Sequence, residues 1–287
     1  MILDIPGGLT AQDIEDRRHF VGGSDANRIM LGTPRDVADL LFFKRGGPAS
    51  NLDDVLIVQL GIVTEDLNRK WFTRKTGRSV YGENIRVPHP ANGWQAATPD
   101  GLTTASTGDD AVLEAKYSSG RISLPDLVEK YFPQVQHNMY VLNMSWTVLS
   151  VIFGDGNYAF AEIEFDPEYC DRLVERERIF WNCRLTGEPW PDLPDPPNPD
   201  IERILKMSKP LDMSRHNEWC SLAPDWLRLH QATDEFKKVD AKLKALVNPE
   251  VRRCYGAGIV GTVSKNGAKT LKPDPDYVPA NNARIAK

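Results

Sequence analysis

The sequence predicts an α/β protein: a mixed β-sheet flanked by helices, followed by a C-terminal helix and β-hairpin. Three observations predict it. The hydrophobic period changes from helical to strand-like after Gly77, the elements then run as three strands, helix, two strands, helix, and a proline-rich segment separates this body from a smaller tail. At roughly 150 residues per domain, 287 residues suit either two units or one enlarged α/β domain.

The N-terminal part reads as short helices. Ser24 caps a turn over residues 25–31 that Gly32 stops, and Thr33-Pro34-Arg35-Asp36 supplies a cap, a first-turn proline and a capping-box acid for a second helix ending before Gly46-Gly47. Residues 55–76 place Leu56, Leu60, Val63, Leu67 and Trp71 at steps of three and four, a long amphipathic helix closed by Gly77. Candidate strands follow at 79–87, 94–98, 112–117, 146–153 and 158–165, each bounded by Pro, Gly or Asn. Helices are expected at 124–143, with a proline-marked start near Pro133, and at 167–185, ending at Gly187. Residues 189–199, PWPDLPDPPNP, suit only an extended connector. The expected organisation is therefore a core over 1–188, a connector over 189–200 and a tail over 201–287 that packs on the core or on a partner subunit. In the tail, Leu229, Ala232, Phe236, Val239, Leu243 and Leu246 form one helical stripe over 224–247, and 255–271 reads as a hairpin around Asn266-Gly267.

Composition narrows the class. With 26% charged and 41% hydrophobic residues, 7 Trp, 10 Phe and 8 Tyr, the chain is neither disordered nor a disulfide scaffold. No run approaches the roughly 18 apolar residues of a membrane span, and residues 1–10 lack a basic segment followed by an apolar one, so a cytoplasmic location is expected. The net charge of −5 does not advertise nucleic-acid binding, and a polyanion must be held by a local patch or by metal ions. Cys170, Cys183, Cys220 and Cys254 form no CxxC pair and read as reduced thiols. Gly256 to Gly261 spells GxGxxG, but a β-branched segment and an Asn-Gly turn follow instead of a helix, so these glycines thin a strand. His89 and His137 lack partners at ligand spacing and read as structural.

Chemistry concentrates between residues 94 and 116. Thr98-Pro99-Asp100-Gly101 sits at a strand end, and after 13 residues Leu113-Glu114-Ala115-Lys116 lies inside an apolar strand. Side chains alternate along a strand, so Glu114 and Lys116 share one face. A buried carboxylate and ammonium are costly unless compensated, and a divalent cation between Asp100 and Glu114 compensates them with hard oxygen ligands suited to Mg²⁺ or Mn²⁺. Singly, each piece is a turn or an ion pair; in this order and spacing they point to a metal site.

These residues match the Asp, Glu-x-Lys signature of the restriction-endonuclease-like PD-(D/E)XK nucleases. Taken in order, Gly22-Gly23-Ser24-Asp25-Ala26, Gly61-Ile62-Val63-Thr64-Glu65, Ala97-Thr98-Pro99-Asp100-Gly101, Leu113-Glu114-Ala115-Lys116 and Gln134-Val135-Gln136-His137-Asn138-Met139 resemble the YqaJ-like viral recombinase family, which includes the lambda-type phage exonucleases. The resemblance covers residues 15–165. It implies a restriction-endonuclease-like core and a metal-dependent 5′-to-3′ exonuclease that leaves 3′ overhangs on linear duplex DNA for phage-type recombination. A structure-specific endonuclease, or a non-catalytic DNA-binding assembly protein, are the alternative readings of the same fold.

By the same resemblance Asp100 and Glu114 are metal ligands, the Ala115 carbonyl is a third, Glu65 completes or steadies the site, and two Mg²⁺ or Mn²⁺ ions occupy it. Lys116 orients the attacking water. Gln136 and Tyr140, one helical turn apart, match a Gln-xxx-Tyr pattern, which puts Gln136 among the catalytic groups and Tyr140, with Gln134, along the DNA. Ser24 follows two glycines at a helix start, a natural anion site, and Arg17 or Arg18 resembles the arginine that receives the 5′-phosphate at a DNA end. The implied partners are duplex DNA ends, a single-strand annealing protein and further copies of the chain, a trimer by resemblance. Remaining cations, Arg69, Arg74, Lys75 and Arg78 after the long helix and Lys237, Lys238, Lys242 and Lys244 in the tail, are weaker candidates for phosphate contact, since charge runs usually mark solvated faces.

Overall fold

One strand organises the body: residues 110–118, DAVLEAKYS, bury side chains on both faces, as a central strand must. A computed structural model of the chain describes residues 10–277 apart from 51, 53, 120, 209–210 and 231–232. The chain forms two compact units, Met1–Glu202 and Arg203–Lys287.

In the first unit α1 (Ala11–Asp16), a 3-10 turn (Arg17–His19), α2 (Gly23–Leu31) and α3 (Pro34–Lys44) precede the long α4 (Leu56–Thr76), which Gly77 closes at φ 72°. A two-residue pair, β1 (Val87–Pro88) with β2 (Ala96–Ala97), leads to the main sheet of β3 (Gly101–Thr104), β4 (Asp110–Ser118), β5 (Trp146–Phe153) and β6 (Tyr158–Glu164), in that spatial order. β4 and β5 run parallel, so they need a crossover, and α5 (Leu124–Leu142) supplies it; the other two pairings are antiparallel. α6 (Pro167–Thr186) follows, and residues 187–200 continue without helix or strand.

The two faces of the sheet differ. Ala111, Leu113, Trp146 and Val148 pack with Phe72 of α4, while Glu114 on the opposite face meets Gln134 and Asn138 of α5. Asn68 fixes α4 over the parallel pair, donating 3.0 Å bonds to the carbonyls of Lys116 and Ser150.

Several expectations are corrected. Residues 79–87 form no continuous strand; Tyr81 bridges Leu102 and only Val87–Pro88 pairs further on. β3 occupies what reads in sequence as a connection after the Pro-Asp-Gly turn. α5 starts at its Ser123 cap with Pro125 in the first turn, and Pro133 lies inside it. The N-cap of α2 is Gly22, whose N–H the Asp25 carboxylate accepts at 2.9 Å, and Ser24 is already helical. The apolar stripe of α4 faces outward, with Leu56, Val63 and Leu67 exposed, while Asn68, Arg69 and Phe72 form the buried side.

In the second unit α7 (Ile201–Ser208) leads to β7 (Leu211–Asp212), α8 (Asn217–Leu229), α9 (Thr233–Leu246), β8 (Arg253–Gly256), β9 (Ile259–Val263) and β10 (Lys269–Pro273). Its core joins Trp219 and Trp226 of α8 and Leu243 of α9 to Cys254, Ile259, Val263 and Leu271 of the sheet. The expected single helix over 224–247 is two, because a 3.6-residue stripe persists through a short break between helices; Ala232 lies outside the described residues. The expected hairpin is part of a four-stranded sheet ordered β10-β9-β8-β7. The GxGxxG run is the β8–β9 hairpin. A Cβ on Gly256 would stand 2.7 Å from the Met213 backbone, and one on Gly261 2.7 Å from the Cys254 Sγ, so both glycines permit close approach. Ala257 and Gly258 form the turn at φ 50° and 80°. Because a Cβ is strained there, Ala257→Gly should raise stability by about 1 kcal/mol in urea unfolding.

His137 of α5 ties three elements in the first unit. Its Nδ1 meets the Glu177 carboxylate of α6 at 2.8 Å, its Nε2 the Ala96 carbonyl of β2 at 3.1 Å, and Gln95 donates to the other Glu177 oxygen at 2.7 Å. Both ring nitrogens face acceptors, so the ring carries both protons. Burial alone would lower its pKa, but Glu177, the Ala96 carbonyl and the more distant Asp25 outweigh it and raise it. A raised folded-state pKa gives stability that is complete below the unfolded value of about 6.5 and lost as pH rises through the folded value. Urea unfolding should therefore show the gap between the native chain and His137→Gln widest below about pH 6.5 and narrower in alkali; a pH-independent gap would mean a neutral ring.

Candidate functional site

β3 and β4 form a hairpin in which Gly101 pairs with Leu113, so Asp100, one step outside the ladder, falls beside Glu114. The residues between the two acids are thus the strands and turn that bring them together. The Asp100 carboxylate accepts the Ala115 N–H at 2.7 Å. Glu114, 1% exposed, accepts from Lys116 Nζ and from Gln134 Nε2 on one oxygen and from Asn138 Nδ2 at 3.1 Å on the other. Lys116 Nζ also lies 5.0 Å from the Tyr131 ring centre.

Burial and the charge of Glu114 push the Asp100 carboxyl up to about 8, against the pull of Lys116 and the Ala115 N–H. Burial alone would lower Lys116, but Glu114 and Asp100 outweigh it and hold the ammonium charged. Two carboxylates with one nearby ammonium leave uncompensated negative charge on hard oxygen donors, and this donor set fits a divalent cation. Among the described residues no three His, Cys, Asp or Glu side chains form a metal-holding group. The side-chain set is the Asp100–Glu114 pair. Glu65 contributes to the field at Asp100 from the rim, where its carboxylate is engaged by Arg69 and by Asn84 Nδ2 at 3.0 Å.

The glutamines change places. Gln136 points away from the acids, donating to the Glu164 carbonyl at 2.9 Å and accepting from the Asp166 N–H at 2.8 Å, so it joins α5 to the β6–α6 junction. Tyr140 stacks on His89 with ring centres 4.8 Å apart. Neither meets Asp100, Glu114 or Lys116 in these contacts. Gln134 does meet Glu114, and its i+4 neighbour on the same face is Asn138. Asn27 of α2 holds Gln134 from behind, donating to its Oε1 at 3.2 Å and accepting its backbone N–H at 2.9 Å. That fixes the amide with its NH₂ toward Glu114. Sequence reading missed Asn27, Asn84 and Asn138; the Gln-xxx-Asn spacing over 134–138 was its one available signal.

Of the two arginines, Arg17 reaches the exposed Ser24, donating to its Oγ, and lies 3.9 Å from Asp25. Arg18 is turned away, held by Glu15 at 2.7 Å and by the Phe43 and Gly47 carbonyls. Asp25 is buried against Lys44 at 2.6 Å; burial raises its pKa, and Lys44 and Arg17 more than reverse this. Arg69 and Arg78 serve structure, Arg69 pairing with Glu65 and Glu83 and Arg78 with Glu162. Arg74 and Lys75 lie over Trp71, Lys244 pairs with Asp240, and Lys237, Lys238 and Lys242 are exposed. No helix among the described residues is long and apolar enough to cross a membrane.

Residues 14–145 match the model of the YqaJ-like viral recombinase domain, the family that the five sequence blocks resemble. In fold the chain is similar to the alkaline exonuclease LHK-Exo from Laribacter hongkongensis, with TM-score 0.51 and 19% identity over 62% of this chain and 94% of that one. LHK-Exo in complex with dAMP aligns over the same shares at TM-score 0.50 and 19% identity. A phage related exonuclease from Haemophilus somnus 129PT aligns at TM-score 0.48 and 13% identity over 59% of this chain and 96% of that one. No curated protein matches the chain. The restriction-endonuclease-like mixed sheet expected from sequence is the fold observed.

The approach of α2 to α5 generates a prediction. A Cβ on Gly23 would stand 2.6 Å from Asn138 Oδ1 and 3.0 Å from Gln134 Cγ. Gly23→Ala should therefore lower stability by about 1–3 kcal/mol in urea unfolding, because it displaces the amides that orient Glu114.

Proposed function

We propose that the chain is a metal-dependent deoxyribonuclease that degrades one strand of linear duplex DNA from its 5′ end and leaves a 3′ single-stranded overhang. The observation that carries this reading is the gathering of Asp100, Glu114 and Lys116 at one sheet end, in a chain that matches a viral recombinase domain and shares its fold with alkaline exonucleases. A divalent cation bound by Asp100 and Glu114, with the Ala115 carbonyl completing the set, supplies charge neutralisation at the scissile phosphate and lowers the pKa of the attacking water.

The chain's own groups do the rest. Gln134 and Asn138 hold Glu114 in one orientation without cancelling its charge. Lys116, held charged, donates to the attacking water or to the phosphoryl oxygens as negative charge develops. Glu65 steadies the approach beside Asp100. Ser24 and Arg17, at the N-terminus of α2, take the 5′-phosphate of the DNA end, and Asn27, one turn along the same helix, connects that end to Gln134 and Glu114. By family resemblance the chain is one subunit of a homo-oligomer, a trimer, and its 3′ strand passes to a single-strand annealing protein.

Incubation with Mg²⁺ and 5′-phosphorylated linear duplex should release nucleotides, while covalently closed circles stay intact. Asp100→Ala and Lys116→Ala should each lower the linear rate by about 10²-fold or more with an unchanged circular-dichroism spectrum. Equal attack on the circles would reject exonuclease action, and unaltered rates in both variants would reject the site.

A further inference from the structure

Charge is divided unevenly between the two units. Residues 203–287 hold sixteen Lys and Arg against nine Asp and Glu, a formal +7, so the chain's −5 leaves −12 on residues 1–202. The field of the first unit opposes a polyanion, and that of the second attracts one.

Within the second unit, basic and aromatic side chains coincide on one surface. Alternation along β8, β9 and β10 buries Cys254, Ile259, Val263 and Leu271 against the helices. It turns Arg253, Tyr255, Val260, Thr262, Thr270 and Lys272 to the other side. The register aligns them in two rows, Arg253–Thr262–Thr270 and Tyr255–Val260–Lys272. Tyr255 is 38% exposed, Thr270 and Lys272 are exposed, and the buried Nε of Arg253 has no hydrogen-bond partner. The acid on this face is Asp212 of β7, opposite Tyr255, whose Oδ1 accepts the Ser214 N–H at 2.8 Å.

We infer that this sheet face binds single-stranded DNA, one base stacking on Tyr255 while Lys272 and Arg253 meet the flanking phosphates. Charge complementarity selects a nucleic acid, and the accessible ring selects its unpaired form, because bases in a duplex already stack on one another. The inference deepens the proposed function, whose resected 3′ strand is the natural occupant. A basic second unit then retains product that the acidic catalytic unit repels.

The test uses the full chain in EDTA, where no DNA is cut. Fluorescence anisotropy follows a labelled oligothymidine of about 20 nucleotides and, separately, a blunt duplex of about the same length. Tyr255→Ala and Lys272→Glu should each weaken oligothymidine binding about five- to tenfold and duplex binding less than about twofold. Lys272→Glu should also flatten the slope of log affinity against log salt by about 0.7 or more. Both positions are exposed, and circular dichroism verifies folding. Native-like oligothymidine affinity in both variants overturns the inference, and so does an equal loss on duplex, which marks a general phosphate contact. The nuclease reading is judged separately: Tyr255-dependent binding stands even if no DNA is degraded in Mg²⁺.

Discussion

The buried charge of Glu114 is the constraint on which the arrangement of the first unit depends. A carboxylate at 1% exposure on a central strand costs several kcal/mol unless its oxygens are satisfied. Lys116 satisfies one from the same strand, but the amides of Gln134 and Asn138 must come from another element. α5 must therefore cross this face in one rotational setting, with one polar stripe against the sheet. Asn27 fixes the Gln134 amide, so α2 must approach α5 closely, and only a glycine at position 23 leaves the room. One carboxylate thus sets the placement of two helices, α5 and α2.

Much of this was legible in sequence, for reasons that also explain what was not. Strand alternation places Glu114 and Lys116 on one face wherever the strand packs, and caps such as Thr33 with Asp36 act locally. Such signals survive without tertiary information. The choice between Gln134 and Gln136 does not. Two residues on a helix are separated by about 200° around its axis, so only one glutamine can face the sheet. Spacing alone matches Gln136 to Tyr140 as well as Gln134 to Asn138. Packing decides, and it assigns Gln136 to the backbone at the start of α6.

The misread faces share a cause. Hydrophobic periodicity finds the buried side of a helix when that side is apolar. The inner side of α4 instead carries Asn68, whose amide answers the carbonyls of two adjacent strands, and Arg69, which pairs with Glu65. Phe72 is the apolar residue buried there, while Leu56, Val63 and Leu67 are left outside. β3 escaped notice because Pro-Asp-Gly carries a turn signal strong enough to mask the short strand it introduces. In the second unit the reverse occurred, and a stripe that held its period through a break merged two helices into one.

Two buried acidic sites, each with a lysine, show what separates structural from chemical use of the same residue types. Asp25 meets Lys44 and Arg17 and accepts the Gly22 N–H, so its charge is matched by two cations; burial raises its pKa, and the cations bring it below the ordinary value. Such a site has no negative charge left to attract a cation. At Asp100 and Glu114 two acids share the single ammonium of Lys116, and the additional donors are neutral amides. Neutral donors orient a carboxylate and leave its charge in place, so burial first, and the charge of Glu114 second, push Asp100 up to about 8. Protonation or a bound cation relieves that charge. A fold selected for stability alone would have paired the acids as it paired Asp25 and Glu162; leaving them uncompensated at the mouth of the β3–β4 hairpin makes sense where a cation and a phosphodiester are the missing partners.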